Sequence, residues 1–141
     1  MRMLVLGAGL QGSACAFDLL QSPDVTQVRL ADLDVGQLPP FLAAYTDPTA
    51  LDGASPRLIP TPLDARDTDA VRALVREADA VMSALPYYFN GPMARHAAEA
   101  GTHFCDLGGN TEIVFEQKQL DQIARQTGAS IIPDCGLAPG M

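Results

Sequence analysis

Apolar residues alternate along the chain between two spacings, short unbroken runs and helical repeats. Met3-Leu-Val-Leu6 is a continuous apolar run stopped by Gly7, the pattern of a central parallel strand buried on both faces. Residues 10–21 change to helical spacing, with Ala14, Phe17 and Leu20–Gln21 on one face and Ser22-Pro23 as the stop. The spacing predicts a second strand over 25–32, with Val28 and Leu30 pointing the same way. It predicts a helix over 67–78 with Val71, Leu74 and Val75 inward, capped by Asp67 or Thr68. A strand follows over 80–85, then a helix over 90–100 with an early Pro92 and a closing Gly101, the usual asymmetry of helix ends. A strand over 102–107 precedes one long helix over 111–127. Its inward residues are Ile113, Val114, Gln117, Leu120, Ile123 and Ala124, and Gly128 closes it. A last strand is predicted over 129–133.

Residues 36–66 break this rhythm and hold six of the eleven prolines. A full-length helix cannot form there. A short one over about 40–45 can, followed by a surface loop and a short strand over 57–59. Six strands separated mostly by helices predict an α/β domain whose parallel sheet is covered on both faces. Right-handed crossovers and double winding give the Rossmann-type strand order 3-2-1-4-5-6.

The 141 residues make one domain. A chain of that length buries roughly two thirds of its unfolded surface, so no disulfide or metal staple is required. Nine Lys and Arg against seventeen Asp and Glu give a net charge of −8. That balance argues against nucleic acid and anionic membranes as partners. It still permits a nucleotide cofactor, because backbone N–H groups hold a pyrophosphate without any cation. Cys15, Cys105 and Cys135 contain no Cys-x-x-Cys pair, which points to a reducing cytoplasm. Cys105 and Cys135 read as strand residues, small and buried. His96 and His103 have no partner at metal-ligand spacing, so no metal site is expected. The run at 3–6 is too short for a secretion signal or a membrane span.

Gly7-Ala8-Gly9-Leu10-Gln11-Gly12 fits G-x-G-x-x-G, and here it follows a buried strand and opens a helix. Gly7 makes the tight turn, Gly9 admits the pyrophosphate, and Gly12 lets helix and strand pack closely. The phosphates would sit on the positive end of the helix, against the backbone of Leu10 and Gln11. Asp32 stands twenty residues after Gly12, the spacing of a carboxylate that accepts from the adenosine ribose. It would repel a 2′-phosphate, and no Arg or Lys follows it before Arg57, so NAD is favoured over NADP. Asp34 is a second carboxylate there, read as a solvated loop charge. Asp64 follows the third strand and either reaches the adenine or makes a turn. Ala84, Leu85 and Pro86 follow the fourth strand and by position line the nicotinamide-ribose side. Asp106 follows the fifth strand and either meets a substrate amine or bonds to the Gly108-Gly109 turn.

Taken together, Gly7–Gly12, Ala31-Asp32, Ser83-Ala-Leu-Pro-Tyr87, Asp106-Leu-Gly108 and Gly136-Leu-Ala-Pro-Gly140 resemble the saccharopine dehydrogenase family over the whole chain. The glycine motif is generic, whereas Leu85–Asn90 and Pro133–Gly140 are more specific. The lysine 6-dehydrogenase-like branch is the most similar, since saccharopine reductases resemble Gly-Leu-Asp-Pro-Gly where Ala138 stands here. The resemblance implies a pyridine-nucleotide oxidoreductase acting on amino acids such as lysine or saccharopine, with Tyr87 near the substrate. Asn90 also matches that branch but reads as a helix N-cap, and Tyr88 and Phe89 read as packing aromatics.

The expectation is therefore a nucleotide-binding domain from the N-terminal part of a longer two-domain enzyme, inactive alone. Its uncovered apolar patch would favour self-association, as in a homodimer. Rival readings are an NAD-sensing module such as a potassium-transporter ligand-binding domain, a short-chain dehydrogenase, and a structural NAD-binding subunit. A short-chain dehydrogenase needs Tyr-x-x-x-Lys, but Gly91 and Pro92 stand four residues after Tyr87 and Tyr88.

Overall fold

The computed structural model describes residues 1–47 and 57–136. Among them six strands form one parallel sheet: β1 (Arg2–Leu6), β2 (Gln27–Asp32), β3 (Leu58–Pro62), β4 (Ala80–Ser83), β5 (His103–Asp106) and β6 (Ile131–Ile132). Their order is β3-β2-β1-β4-β5-β6, as the alternation of elements predicts. The helices are α1 (Leu10–Gln21), α2 (Pro40–Ala43), α3 (Thr68–Glu77), α4 (Asn90–Ala100), α5 (Thr111–Lys118) and α6 (Asp121–Thr127), with a 3₁₀ turn over Tyr87–Phe89.

The run at 3–6 is central because its residues are divided between two cores. Leu4 and Leu6 pack with Val81, Phe104 and the inner faces of α3 and α4. Val5 packs on the other face with Val28, Leu30, Met82, Ala16, Leu20 and Leu42. Each fully buried Leu or Val contributes roughly 1.5–3 kcal/mol. Both faces of the sheet are therefore closed, and the carboxyl ends of β1 and β4, where strand order reverses, remain as the crevice.

The helix signals behave as their chemistry requires. Asp67 accepts from the Ala70 N–H at 3.1 Å, while Gly101 and Gly128 close α4 and α6 with φ of 74° and 82°. The long helix expected over 111–127 is two helices. Gln119 N donates to Glu116 O (3.1 Å) and Leu120 N to Gln117 O (3.0 Å), a tightened turn after which the helix restarts at Asp121. The buried face of α1 is Gly12, Ser13, Ala16 and Leu20 rather than the Ala14–Phe17 side. Phe17 is met edge-on by Phe41 and Tyr45 instead, at 5.5 and 6.1 Å between centroids. β3 is longer than the 57–59 expected, and it contains Pro60 and Pro62. It is an edge strand in which Leu63 N bonds inward to Asp32 O and Leu58 N bonds outward to Tyr45 O. Even-numbered positions thus face away from β2, so the sheet loses no donor at either proline. β4 ends at Ser83, so Ala84 and Leu85 lie past the strand. Cys105 is in β5 as expected, but Cys135 is exposed and lies past β6. Residues 48–56 and 137–141, including Ala138 and most of the terminal Gly-rich motif, lie outside the described residues.

Candidate functional site

The glycine turn is stitched between its neighbouring strands. Gly7 N donates to Ala31 O at 2.7 Å, and Ala84 N donates to Leu6 O at 2.8 Å. Gly7 has φ +98°, and a Cβ there would stand 3.1 Å from the Ala84 carbonyl oxygen. Gly12 is held tighter. A Cβ on it would lie 2.9 Å from the Gly7 carbonyl carbon and nearer still to its oxygen. Gly9 differs: nothing stands within 4 Å of a Cβ placed there. The turn is locked from within by Ser13, whose Oγ donates to Ala8 O and whose N donates to Gly9 O, both at 2.9 Å. Gly9 is the N-cap of α1 and gives it no side-chain cap, and no acidic residue stands in the first turn. The first N–H groups of a 12-residue helix, at Leu10 and Gln11, therefore receive no side-chain cap, both residues are exposed, and the positive end of the helix lies behind them. Leu10 is 88% exposed.

Asp32 ends β2 beside this turn. Its Oδ2 accepts from the Ala8 N–H at 2.6 Å, which fixes the carboxylate on the glycine loop. Asp34 accepts from Gly36 N at 2.9 Å and shapes its own turn. A cleft of about 500 Å³ opens next to Asp32, bordered by Leu33, Asp64, Arg66, Pro86 and Tyr88. Asp64 is engaged by Arg66: Nε lies 2.9 and 3.1 Å from its two oxygens, and a terminal guanidinium nitrogen 2.7 Å from Oδ2. The guanidinium and the Arg66 N–H hold the Asp64 carboxyl down at about 2. Leu85 and Pro86 border this same cleft, whereas Ala84 packs toward the α1 side of the sheet, close to Gly12.

Past β4, in the 3₁₀ turn, Tyr87 is half-exposed, with its ring edge-on to Tyr88 at 5.6 Å. A Cβ on Gly109, where φ is +115°, would stand 3.3 Å from Tyr87 Cβ, so the two backbones approach closely here. Asp106 is 1% exposed. Its Oδ1 accepts from Gly108 N (2.7 Å) and Asp134 N (3.1 Å), and its Oδ2 from Gln117 Nε2 (2.6 Å). Of its two sequence readings, the geometry displays the turn: the carboxylate ties β5 to α5 and to the segment after β6. Asn90 is not a cap. Phe89 before it already has helical φ and ψ (−83°, −22°), so the extended geometry of an N-cap is absent. Asn90 is buried instead, and its Oδ1 accepts from Ser83 Oγ at 2.9 Å.

A family model described as the saccharopine dehydrogenase NADP binding domain matches residues 3–132. The chain belongs to this family. Among solved structures, it is similar to apo saccharopine dehydrogenase (L-Glu forming) from Saccharomyces cerevisiae, with TM-score 0.68 and 21% identity over 99% of this chain and 28% of that one. It is also similar to the WlbA dehydrogenase from Thermus thermophilus in complex with NAD and alpha-ketoglutarate. There the TM-score is 0.60 and the identity 15%, over 94% of this chain and 40% of that one. Biliverdin reductase from a Synechocystis species, in complex with biliverdin and NADP+, gives TM-score 0.58 and 18% identity over 94% and 37%. At these identities the structural likeness establishes the Rossmann-like fold. The chain spans well under half the length of each of these structures.

For this saccharopine dehydrogenase NADP binding domain, the residues of the cleft that sequence reasoning missed include Leu33, Arg66 and Tyr88. Tyr88 is more than half exposed and borders the cleft, where packing alone was expected of it. Arg66 carried a signal, since it stands two residues from a carboxylate already singled out. His96 and His103 serve the scaffold: Nδ1 of His96 accepts from Arg72 Nε (3.3 Å) and Nδ1 of His103 from Ser130 N (3.1 Å). Among the described residues no helix is long and apolar enough to cross a membrane.

Proposed function

We propose that this chain is the nucleotide-binding domain of an NAD-dependent oxidoreductase acting on the C–N bond of an amino acid, of the lysine or saccharopine type. One observation carries the cofactor reading: an uncapped helix N-terminus opens beside Asp32, whose carboxylate is fixed on the glycine turn by the Ala8 N–H. The residues fit a dinucleotide. Gly7, Gly9 and Gly12, with the N–H groups of Leu10 and Gln11, form the pyrophosphate seat, and the open side of Gly9 leaves room for it. Asp32 accepts from the adenosine ribose. Its negative charge opposes a 2′-phosphate, which favours NAD although the family is described by NADP. Asp64, Leu85 and Pro86 border the adenosine cleft, and Ala84 lies behind the turn toward the nicotinamide side.

A bound nicotinamide would supply hydride chemistry: it would accept a hydride from the amine-bearing carbon as the nitrogen loses a proton, leaving an imine that water hydrolyses to a carbonyl and a released amine or ammonia, or would donate the hydride in the reverse, reductive direction. This chain's contribution is position and electrostatics. Tyr87, half-exposed in the turn after β4, is the substrate-side candidate. Asp106 acts through the loop it holds beneath Tyr87, because its oxygens are turned inward. A second domain completes the substrate pocket in the longer enzyme, so this domain alone binds cofactor without turnover.

Titration calorimetry with NAD and NADP tests the reading, with Asp32→Ala as control. NAD binding more tightly than NADP, with the preference lost in the variant, supports it. Failure to bind either, or tighter NADP binding unaffected by the variant, refutes it. Amine-dependent reduction of NAD by the full-length protein, screened across amino acids, then tests the substrate class.

A further inference from the structure

Of the nine Lys and Arg residues, all within the described residues, Arg66 alone borders the cleft beside Asp32. It is not idle. Its Nε and one terminal nitrogen form a fork on the Asp64 carboxylate, and its own backbone N–H donates to Asp64 Oδ1 at 2.9 Å. Because the partners are two residues apart, the pair closes locally and needs no tertiary contact to form. Its members differ in cover: the Asp64 side chain is 38% exposed and the Arg66 side chain 75%.

A 2′-phosphate brings roughly 1.5 to 2 negative charges to this cleft. With the pair closed it meets Asp32 uncompensated and a guanidinium whose fork is already filled. A guanidinium matches phosphate as well as carboxylate, since both accept two parallel N–H bonds. Drawing Arg66 away would leave Asp32 and Asp64 both facing the phosphate, so the arginine is of little use to it while Asp64 keeps its charge. We propose that the Asp64–Arg66 pair, together with Asp32, sets the cofactor's 2′ preference: closed, it withholds the cleft's one cation from a 2′-phosphate; without the Asp64 charge, it surrenders it. The inference rests on the cofactor reading above and adds to it a specificity determinant distinct from Asp32.

The test uses adenosine 5′-monophosphate and adenosine 2′,5′-bisphosphate as probes, with NAD and NADP alongside. Each is titrated into the wild-type chain, Asp64→Asn, Arg66→Ala and the double variant. Both side chains are exposed enough that the fold is not at stake, and asparagine keeps an acceptor for the Arg66 N–H. Asp64→Asn is expected to improve the bisphosphate relative to the monophosphate by about tenfold, the scale of one charge-assisted contact. Adding Arg66→Ala should return the ratio to within about twofold of wild type, because the gain belongs to the arginine. Three results overturn the inference: an unchanged ratio in Asp64→Asn, a gain that survives in the double variant, or a wild-type bisphosphate affinity that falls in Arg66→Ala alone. The two failures are separable. A wild-type chain that binds NAD while the ratios stay put refutes the pair, whereas one that binds no dinucleotide refutes the cofactor reading.

Discussion

Gly9 and Gly12 share one motif, and the structure gives them opposite surroundings that two alanine substitutions separate. In Gly12→Ala the new methyl would stand 2.9 Å from the Gly7 carbonyl carbon and 3.4 Å from Ala84 Cβ. The first obstacle is backbone, so no side-chain rotation relieves it. The helix must lift, and Ser13 and Ala16 lift with it from the face they bury. Overpacking a well-filled interior costs typically about 1–3 kcal/mol, and a backbone obstacle places this case near the upper end, about 3 kcal/mol. At roughly 3 °C per kcal/mol for a chain of this size, Tm should fall by about 10 °C. In Gly9→Ala the methyl meets nothing within 4 Å, and φ −65° with ψ −172° is open to any residue. A lower unfolded-state entropy and a poorer N-cap oppose each other there, so Tm should stay within about 2 °C. On the proposed cofactor reading, NAD affinity should nevertheless fall by about tenfold or more, because the methyl would occupy the approach to the proposed pyrophosphate seat. Thermal melts and calorimetry on both variants decide the matter. A Gly12→Ala chain that melts like wild type would refute the packing argument. A Gly9→Ala chain that binds NAD like wild type would refute the placement of the phosphates.

Three further outcomes follow from buried and partly buried groups. Asp106→Ala leaves Gly108 N, Asp134 N and Gln117 Nε2 without their acceptor; at about 1–3 kcal/mol per orphaned donor, urea unfolding should show a loss of at least about 3 kcal/mol, and a loss under about 1 kcal/mol would contradict the assignment. Burial pushes the Cys105 thiol up to about 11, with Cys135 and Asp106 nearby adding to it, so alkylation followed by mass spectrometry near neutral pH should modify exposed Cys135 first and Cys105 last; the reverse order would be fatal. Burial, then the charge of Arg72, lowers the His96 pKa below its ordinary 6.5. The unfolded chain therefore takes up a proton before the folded one does, and the stability His96 contributes is full above 6.5 and lost as pH falls below it. His96→Gln should flatten the decline in urea midpoint from about pH 7.5 to about pH 5.5; an unchanged decline would assign it to other groups.

The sheet was legible because its signals are local and redundant. An unbroken run such as Met3–Leu6 reads as buried on both faces, and once β1 is central, right-handed crossovers and Rossmann-type double winding give the strand order observed. The errors share a cause: each depends on a partner that periodicity does not see. Pro60 and Pro62 are tolerated in β3 because of which way their positions face at an edge. The break between α5 and α6 is made by two tightened hydrogen bonds, with no Gly or Pro to announce it. Asn90 has the composition of a cap, but the 3₁₀ turn before it has already set helical geometry. Arg66, Leu33 and Tyr88 enter the cleft because strand order reverses between β1 and β4, which brings together residues far apart in the chain.

The two strand-end aspartates show where local reasoning stops. Asp32 and Asp106 each close a β-strand, and each is followed within a few residues by a turn. The sheet gives them different surroundings. The end of β2 lies beside the glycine turn and an open cleft, so Asp32 receives one short backbone bond, from Ala8, and keeps a partly exposed carboxylate. The end of β5 is roofed by α5 and by the segment after β6, so Asp106 receives three donors and is buried. An anion in the interior is tolerable only when its lone pairs are filled. Those donors are therefore the condition for Asp106 being there at all, and they commit it to holding the loop beneath Tyr87. One carboxylate is free to meet a ligand because the fold leaves it room, while the other shapes the site because the fold leaves it none.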